Sequence, residues 1–288
     1  MKQEARKVSY AAAGSLFLHL IAVLSTGLLR NYVKPEGTLS VVYDILAALF
    51  ALSVAYFSFS IFARHFGCAF TPPKRTETLS KADKLTVVFA VSAITFIFGR
   101  IYGVLFPSST TVVFPENPSA TQYILLLIST VIVPSFCEEL VFRYCLARRF
   151  MVLGVTSATI ISALIFGLTH FSLETFPYAF ICGILIGTAY LMTGSFWVAF
   201  GIHFLNNAYC FFFSVAAVFL SNKAFSAATV SMVVALLSIF LICVVYLFFR
   251  LRRKGLTEES DHALASDFMT WAMGAYFLCA LAVQILFR

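Results

Sequence analysis

Three short stretches hold the side chains able to do chemistry. They read Cys137-Glu138-Glu139-Leu140-Val141-Phe142-Arg143, Phe166-Gly167-Leu168-Thr169-His170 and His203-Phe204-Leu205-Asn206-Asn207. Successive residues of a helix point about 100° apart, so the neighbours Glu138 and Glu139 cannot do one job. Glu139 and Arg143, at i,i+4, share a face and can pair, which lowers the cost of burying both charges. Glu138 then points elsewhere, without that partner. A buried carboxylate with no cation beside it takes up a proton more readily, which suits a general base working near neutral pH. Phe166 and His170 lie one turn apart, and His203 and Asn207 again share a face at i,i+4. Glu138, His170, His203 and Asn207 could together hold a water, activate it and stabilise an oxyanion. Equally, Glu138, His170 and His203 could ligate a divalent metal such as zinc with one position open. The HExxH signature of a zinc helix is missing. An ion cluster that serves only packing, with Glu138 a spectator, is the bland alternative.

These groups sit in an apolar chain. Of 288 residues, 61% are hydrophobic and 11% charged, against about 25% charged in soluble domains; mean hydropathy is +0.94. So few charges cannot cover a water-soluble surface, which excludes a soluble enzyme, a nucleic-acid binder and a disordered chain. Long unbroken apolar runs exclude a membrane barrel, whose strands alternate. The expected fold is an all-α polytopic transmembrane bundle of about 8–9 spans with a polar intramembrane cavity. A crossing takes about 20 apolar residues, and the candidate spans are 8–29, 41–63, 85–106, 122–146, 154–173, 175–192, 196–220, 226–249 and 268–287. The first is too long for a signal peptide and has no cleavage site after it. Three parts follow: N-terminal spans in 1–119, a catalytic core in 120–220 and C-terminal spans in 221–288.

The net charge of +7 reports topology. With the N-terminus in the cytoplasm, fourteen Lys and Arg fall in inside segments and four outside, as the positive-inside rule requires. The inside group includes Lys74, Arg75, Arg253 and Lys254; the outside group is Arg30, Lys34, Lys223 and Arg288. Asp44, near a span end, and Arg100, which can snorkel, read as structural, and His19 as a neutral core histidine. The seven cysteines show no metal-type CxxC pair and read as small buried apolar groups. Gly183 and Gly187 form a GxxxG, a signal of close helix contact. Counted from span ends, Glu138 and His203 lie in the inner half of the membrane. A fifth helix running to 173 sets His170 on the order of 5–10 Å nearer the outer end.

Glu-Glu-x-x-x-Arg, then Phe-x-x-x-His, then His-x-x-x-Asn, in that order on consecutive apolar segments, resembles the CPBP intramembrane proteases. These are the CAAX-processing and bacteriocin-processing enzymes, also called the Abi family. The matching residues are Glu138, Glu139 and Arg143; Phe166 and His170; His203 and Asn207, with Gly194-Ser195-Phe196-Trp197 similar to the family's Gly-Ser-x-Trp lead-in. The resemblance covers roughly residues 120–215. It implies that Glu138 is the general base on a water that His170 helps to hold. It implies that His203 and Asn207 stabilise the oxyanion, and that Glu139 and Arg143 fix the helix and tune the field. The family is often labelled metalloprotease, and a metal-free water attack is also proposed for it. Either route avoids an acyl-enzyme.

The function expected is thus an intramembrane endopeptidase acting on a membrane-associated or lipidated CAAX-type protein, or on a leader peptide. The chain would be a multi-pass protein of the cell membrane, with the lipid bilayer and a protein or peptide substrate as partners and no nucleic acid. Two other classes compete. One is a catalytically silent bacteriocin-immunity or scaffold protein of the same fold, which should have lost a motif residue. The other is a proton-coupled transporter, which should show internal repeats around its site; no repeat is found.

Overall fold

The structure, a computed structural model, describes residues 2–68, 79–106, 112–252 and 270–286. Lys74, Arg75, Arg253, Lys254 and Arg288 of the charge-bias argument, and the edges of the ninth expected span, lie outside the described residues. Among the described residues every regular element is a helix. The elements are α1 Lys2–Val33, α2 Gly37–His65, α3 Lys81–Leu105, α4 Ala120–Leu153, α5 Val155–Leu168, α6 Phe176–Thr193, α7 Phe196–Phe219, α8 Asn222–Arg252 and α9 Trp271–Leu286. Seven are long and apolar enough to cross a membrane; α5 and α9, at 14 and 16 residues, are shorter. The chain is an integral membrane protein. Helices suit that setting because they satisfy every backbone N–H and C=O internally where no water can. The least covered is α8, with only 6% of its apolar window buried inside the protein; a helix apolar all round with bare flanks is suited to lipid.

Local chemistry places the starts. Ser80 accepts from Asp83 N–H while the Asp83 carboxylate accepts from Ser80 N–H, a capping box that starts α3 four residues before the expected 85. Ser119 and Gln122 do the same for α4. Gly154, at φ +87°, makes the tight link from α4 to α5 in a backbone region that glycine enters without strain. Gly194, at φ +60°, caps α6, and Ser195 opens α7.

Two expectations need correction. First, α4 is not a uniform α-helix over 122–146. It runs on through Arg148 and Arg149 to Leu153, and two stretches, Ile128–Ile132 and Leu140–Ala147, widen to π turns, a feature that recurs at functional sites. Glu138 and Glu139 end the α turn between them. Second, the fifth span does not reach 173. The Phe166 carbonyl accepts from Thr169 Oγ1 at 2.8 Å and from His170 Nδ1 at 2.9 Å. It is the carbonyl that a continuing helix would offer to His170 N–H, which turns instead to Gly167 O. Side chains thus compete with the helix and stop it at Leu168. At about 1.5 Å per residue, α5 is roughly 21 Å long, and His170 sits on the turn after it.

α1 lies along α2, α5 along α6, and α3 touches α6, α7 and α8; α4 runs between α2 and α7. The α5–α6 contact needs Gly183, where a Cβ would stand 3.1 Å from Ala163 Cα and Phe166 Cδ1. The expected role of the glycine pair as a close helix contact holds there; at Gly187 the nearest atom, Thr159 Cγ2, is a relaxed 3.6 Å away. Asp44 is ion-paired with Arg30 at 2.9 Å, and Arg100 lies 4.0 Å over the Phe213 ring. All seven cysteines are free.

Candidate active site

α4 supplies the charged groups. Arg143 Nε stands 3.2 Å from Glu139 Oε2, and both side chains are 0% exposed. The i,i+4 spacing predicts this pair, and it forms although Leu140–Ala147 widens to a π turn. Two further contacts hold Arg143: its guanidinium lies 4.6 Å over the Phe166 ring, and its Nη2 donates to Gly183 O at 3.4 Å. Glu139 is also bound from α7, where His203 Nδ1 lies 2.8 Å from Glu139 Oε1. A carboxylate accepts only, so Nδ1 carries the hydrogen. The other ring nitrogen, Nε2, is then left towards Glu138, whose Oε2 lies 4.0 Å away. That oxygen is buried and has no hydrogen-bond partner among the described residues. Among the same residues Glu139 Oε2 and Arg143 Nε also lack a hydrogen bond, but they lie 3.2 Å from each other as an ion pair.

His170 reaches the same centre from the α5–α6 turn. The Phe166 ring meets its imidazole edge to face at 4.9 Å and meets that of His203 at 5.9 Å. One aromatic ring therefore spaces the two imidazoles, although 33 positions separate them in sequence. These shared contacts bring His170 and His203 to one place, whatever the length of α5.

Asn207 is placed differently. Its Nδ2 donates to Thr130 O on α4 at 3.1 Å. An α turn would pair that carbonyl with residue 134, a proline without an N–H, and the chain here widens to a π turn. The amide thus serves that backbone group, with a second N–H left over. Asn207 lines a cavity of about 190 Å³ together with Phe166, His170, His203, Asn206 and Tyr178. Glu138 does not line this cavity; it faces a second one of about 160 Å³, which His170 also borders.

Sequence reasoning missed Asn206 and Tyr178. The Tyr178 hydroxyl and the Asn206 amide bond each other at 2.9 and 3.1 Å, both buried. The signal was the second amide of the Asn206-Asn207 doublet in an apolar helix. It also undervalued Phe166, which carries the two histidines and the arginine. As for a metal, among the described residues no three carboxylate, imidazole or thiol groups converge as a ligand set.

Comparison with curated proteins gave no match, and comparison with solved structures gave none. Residues 120–209, from the start of α4 to the last residues of the site on α7, match the family described as Type II CAAX prenyl endopeptidase Rce1-like. The segment that assembles Glu138, Glu139, Arg143, His170, His203 and Asn207 is thus similar to a CAAX endopeptidase family, which supports the resemblance to CPBP-family intramembrane proteases.

Proposed function

We propose that the chain is an intramembrane endopeptidase in which Glu138 activates a water to attack a peptide bond. The substrate class is a membrane-associated or lipidated CAAX-type protein or a leader peptide, met at the cell membrane with the N-terminus of the chain in the cytoplasm. The observation that carries this reading is the inequality of two adjacent acids. Glu139 is hydrogen-bonded to His203 Nδ1 through Oε1 and lies 3.2 Å from Arg143 Nε through Oε2, while Glu138 Oε2 has, among the described residues, only the longer 4.0 Å approach of His203 Nε2.

In this reading Glu138 takes a proton from a water that His170 helps to hold. The resulting hydroxide attacks the scissile carbonyl, and the proton passes on to the leaving amine. The oxyanion is met by His203 Nε2–H and by the N–H of Asn207 that Thr130 does not use. His203 can donate from Nε2 only when its ring is doubly protonated, because Nδ1–H already serves Glu139. The Glu139 carboxylate supports that imidazolium as the acid behind a triad histidine does. Cys182 and Cys210 also line the first cavity, but the reading assigns neither a nucleophilic role.

The test is turnover. Purified protein in detergent is incubated with a library of CAAX-type and leader-type peptides, and cleavage is read by mass spectrometry. Cleavage by the native chain and none by Glu138→Gln is expected. Equal cleavage by both removes Glu138 as the base. No cleavage of any peptide by well-folded native protein favours the silent scaffold.

A further inference from the structure

The second cavity draws in a part of the chain outside the segment that matches the protease family. Its walls come from α1 and α2 as well as from α4 and the turn after α5, and its polar lining is His19, Glu138, Thr169 and His170. Water occupies a cavity that is polar and offers two to four hydrogen-bond partners, at roughly 10–15 Å³ per molecule. At about 160 Å³ this chamber has room for several. It borders the two residues assigned above to the hydrolytic water.

His19 is 4% exposed, and its Nδ1 lies 3.0 Å from Ala51 O. A carbonyl only accepts, so Nδ1 carries the hydrogen, and in the neutral ring Nε2 keeps a lone pair; His19 lines the chamber. Packing alone does not call for an imidazole here. One turn earlier Ser15 Oγ ties α1 to α2 in the same way, donating to Ala55 O at 2.7 Å with a single oxygen. What a histidine adds at position 19 is the second nitrogen.

We propose that His19 is a positioning residue. Its Nε2 accepts a hydrogen bond from water in the chamber shared by Glu138 and His170, and so orders the water that Glu138 deprotonates. The inference rests on the endopeptidase reading for its effect on rate, though not for the hydration it describes.

Two substitutions separate the nitrogens. In His19→Asn the amide nitrogen takes the place of Nδ1 and keeps the tie to Ala51, while the acceptor in the chamber is lost. In His19→Gln the longer side chain sets its amide oxygen near the place of Nε2 and gives up the tie. The Asn variant should melt as the native protein does and lose about 10²-fold in kcat, the scale of a misplaced reactant, with KM unchanged. The Gln variant should melt lower yet recover part of kcat. A structural role gives the reverse order, and full kcat in the Asn variant overturns the proposal. Nitrogen NMR of the labelled histidine ring in the native chain needs neither turnover nor a foldable His19 variant. The expected result is the Nδ1–H tautomer, with an Nε2 resonance that moves in Glu138→Gln. An Nε2–H tautomer, or an Nε2 signal indifferent to Glu138, also overturns it. If the native chain cleaves nothing, the endopeptidase reading fails while the NMR result still decides for or against the shared hydrated chamber.

Discussion

His203 Nδ1 and Glu139 Oε1 meet at 2.8 Å between α7 and α4, and this one bond determines which nitrogen of His203 is free for chemistry. With Arg143 Nε 3.2 Å from the other oxygen, Glu139 joins an intrahelical ion pair to an interhelical hydrogen bond. Its neighbour Glu138 has neither.

The two acids should therefore respond in opposite ways to removal of charge. Glu138→Gln should abolish peptide cleavage and leave the melting temperature in detergent close to native. Glu139→Gln should lower it, because Arg143 is then buried without its counter-charge, a change of roughly 3–5 kcal/mol for a broken buried pair. Equal melting temperatures with cleavage lost only in the Glu139 variant would exchange the two roles.

Asn207 has a structural bond and a proposed catalytic one, and a double substitution divides them. Asn207→Ala should reduce kcat by about 10²–10³ with KM nearly constant, the usual result of removing one oxyanion donor. It should also destabilise by about 1–3 kcal/mol, since Thr130 O loses its partner. Adding Pro134→Ala supplies the α-turn N–H for that carbonyl. Recovery of the melting temperature without recovery of kcat is expected; recovery of both would reduce Asn207 to a brace for α4.

Gly183→Ala should disturb the site through Phe166. The new methyl would lie 3.1 Å from Phe166 Cδ1 and from the Ala163 backbone, and overpacking of this kind costs about 1–3 kcal/mol. Because Phe166 spaces His170 from His203, kcat should fall as well. Gly187→Ala, with Thr159 Cγ2 at 3.6 Å, should change neither quantity much. Equal effects at both positions would separate Phe166 from catalysis.

Cleavage should survive exhaustive chelation, and elemental analysis of active protein should find no stoichiometric zinc. Activity that stops on chelation and returns with zinc would make Glu138, His170 and His203 ligands, drawn together by the ion.

The class of this protein was legible without coordinates, because it follows from quantities that add along the chain. Apolar content and run length decide that the helices lie in a membrane, and the i,i+4 spacing of Glu139 and Arg143 is enough to pair them, since a helix brings those positions together wherever it packs. The chemically active stretches were legible for the same reason: charges and imidazoles stand out in apolar runs. The places where reading failed are those where a local pattern competes with a neighbour. The end of α5 at Leu168 depends on Thr169 and His170 taking one carbonyl, and the wide turns of α4 break the 100° step assumed along it. Which nitrogen of His203 is occupied, which carbonyl Asn207 serves, and that His19 shares a chamber with Glu138 were decided only in three dimensions. Those relationships link residues up to 119 positions apart, and they depend on how the helices pack against one another, which periodicity along one helix does not encode.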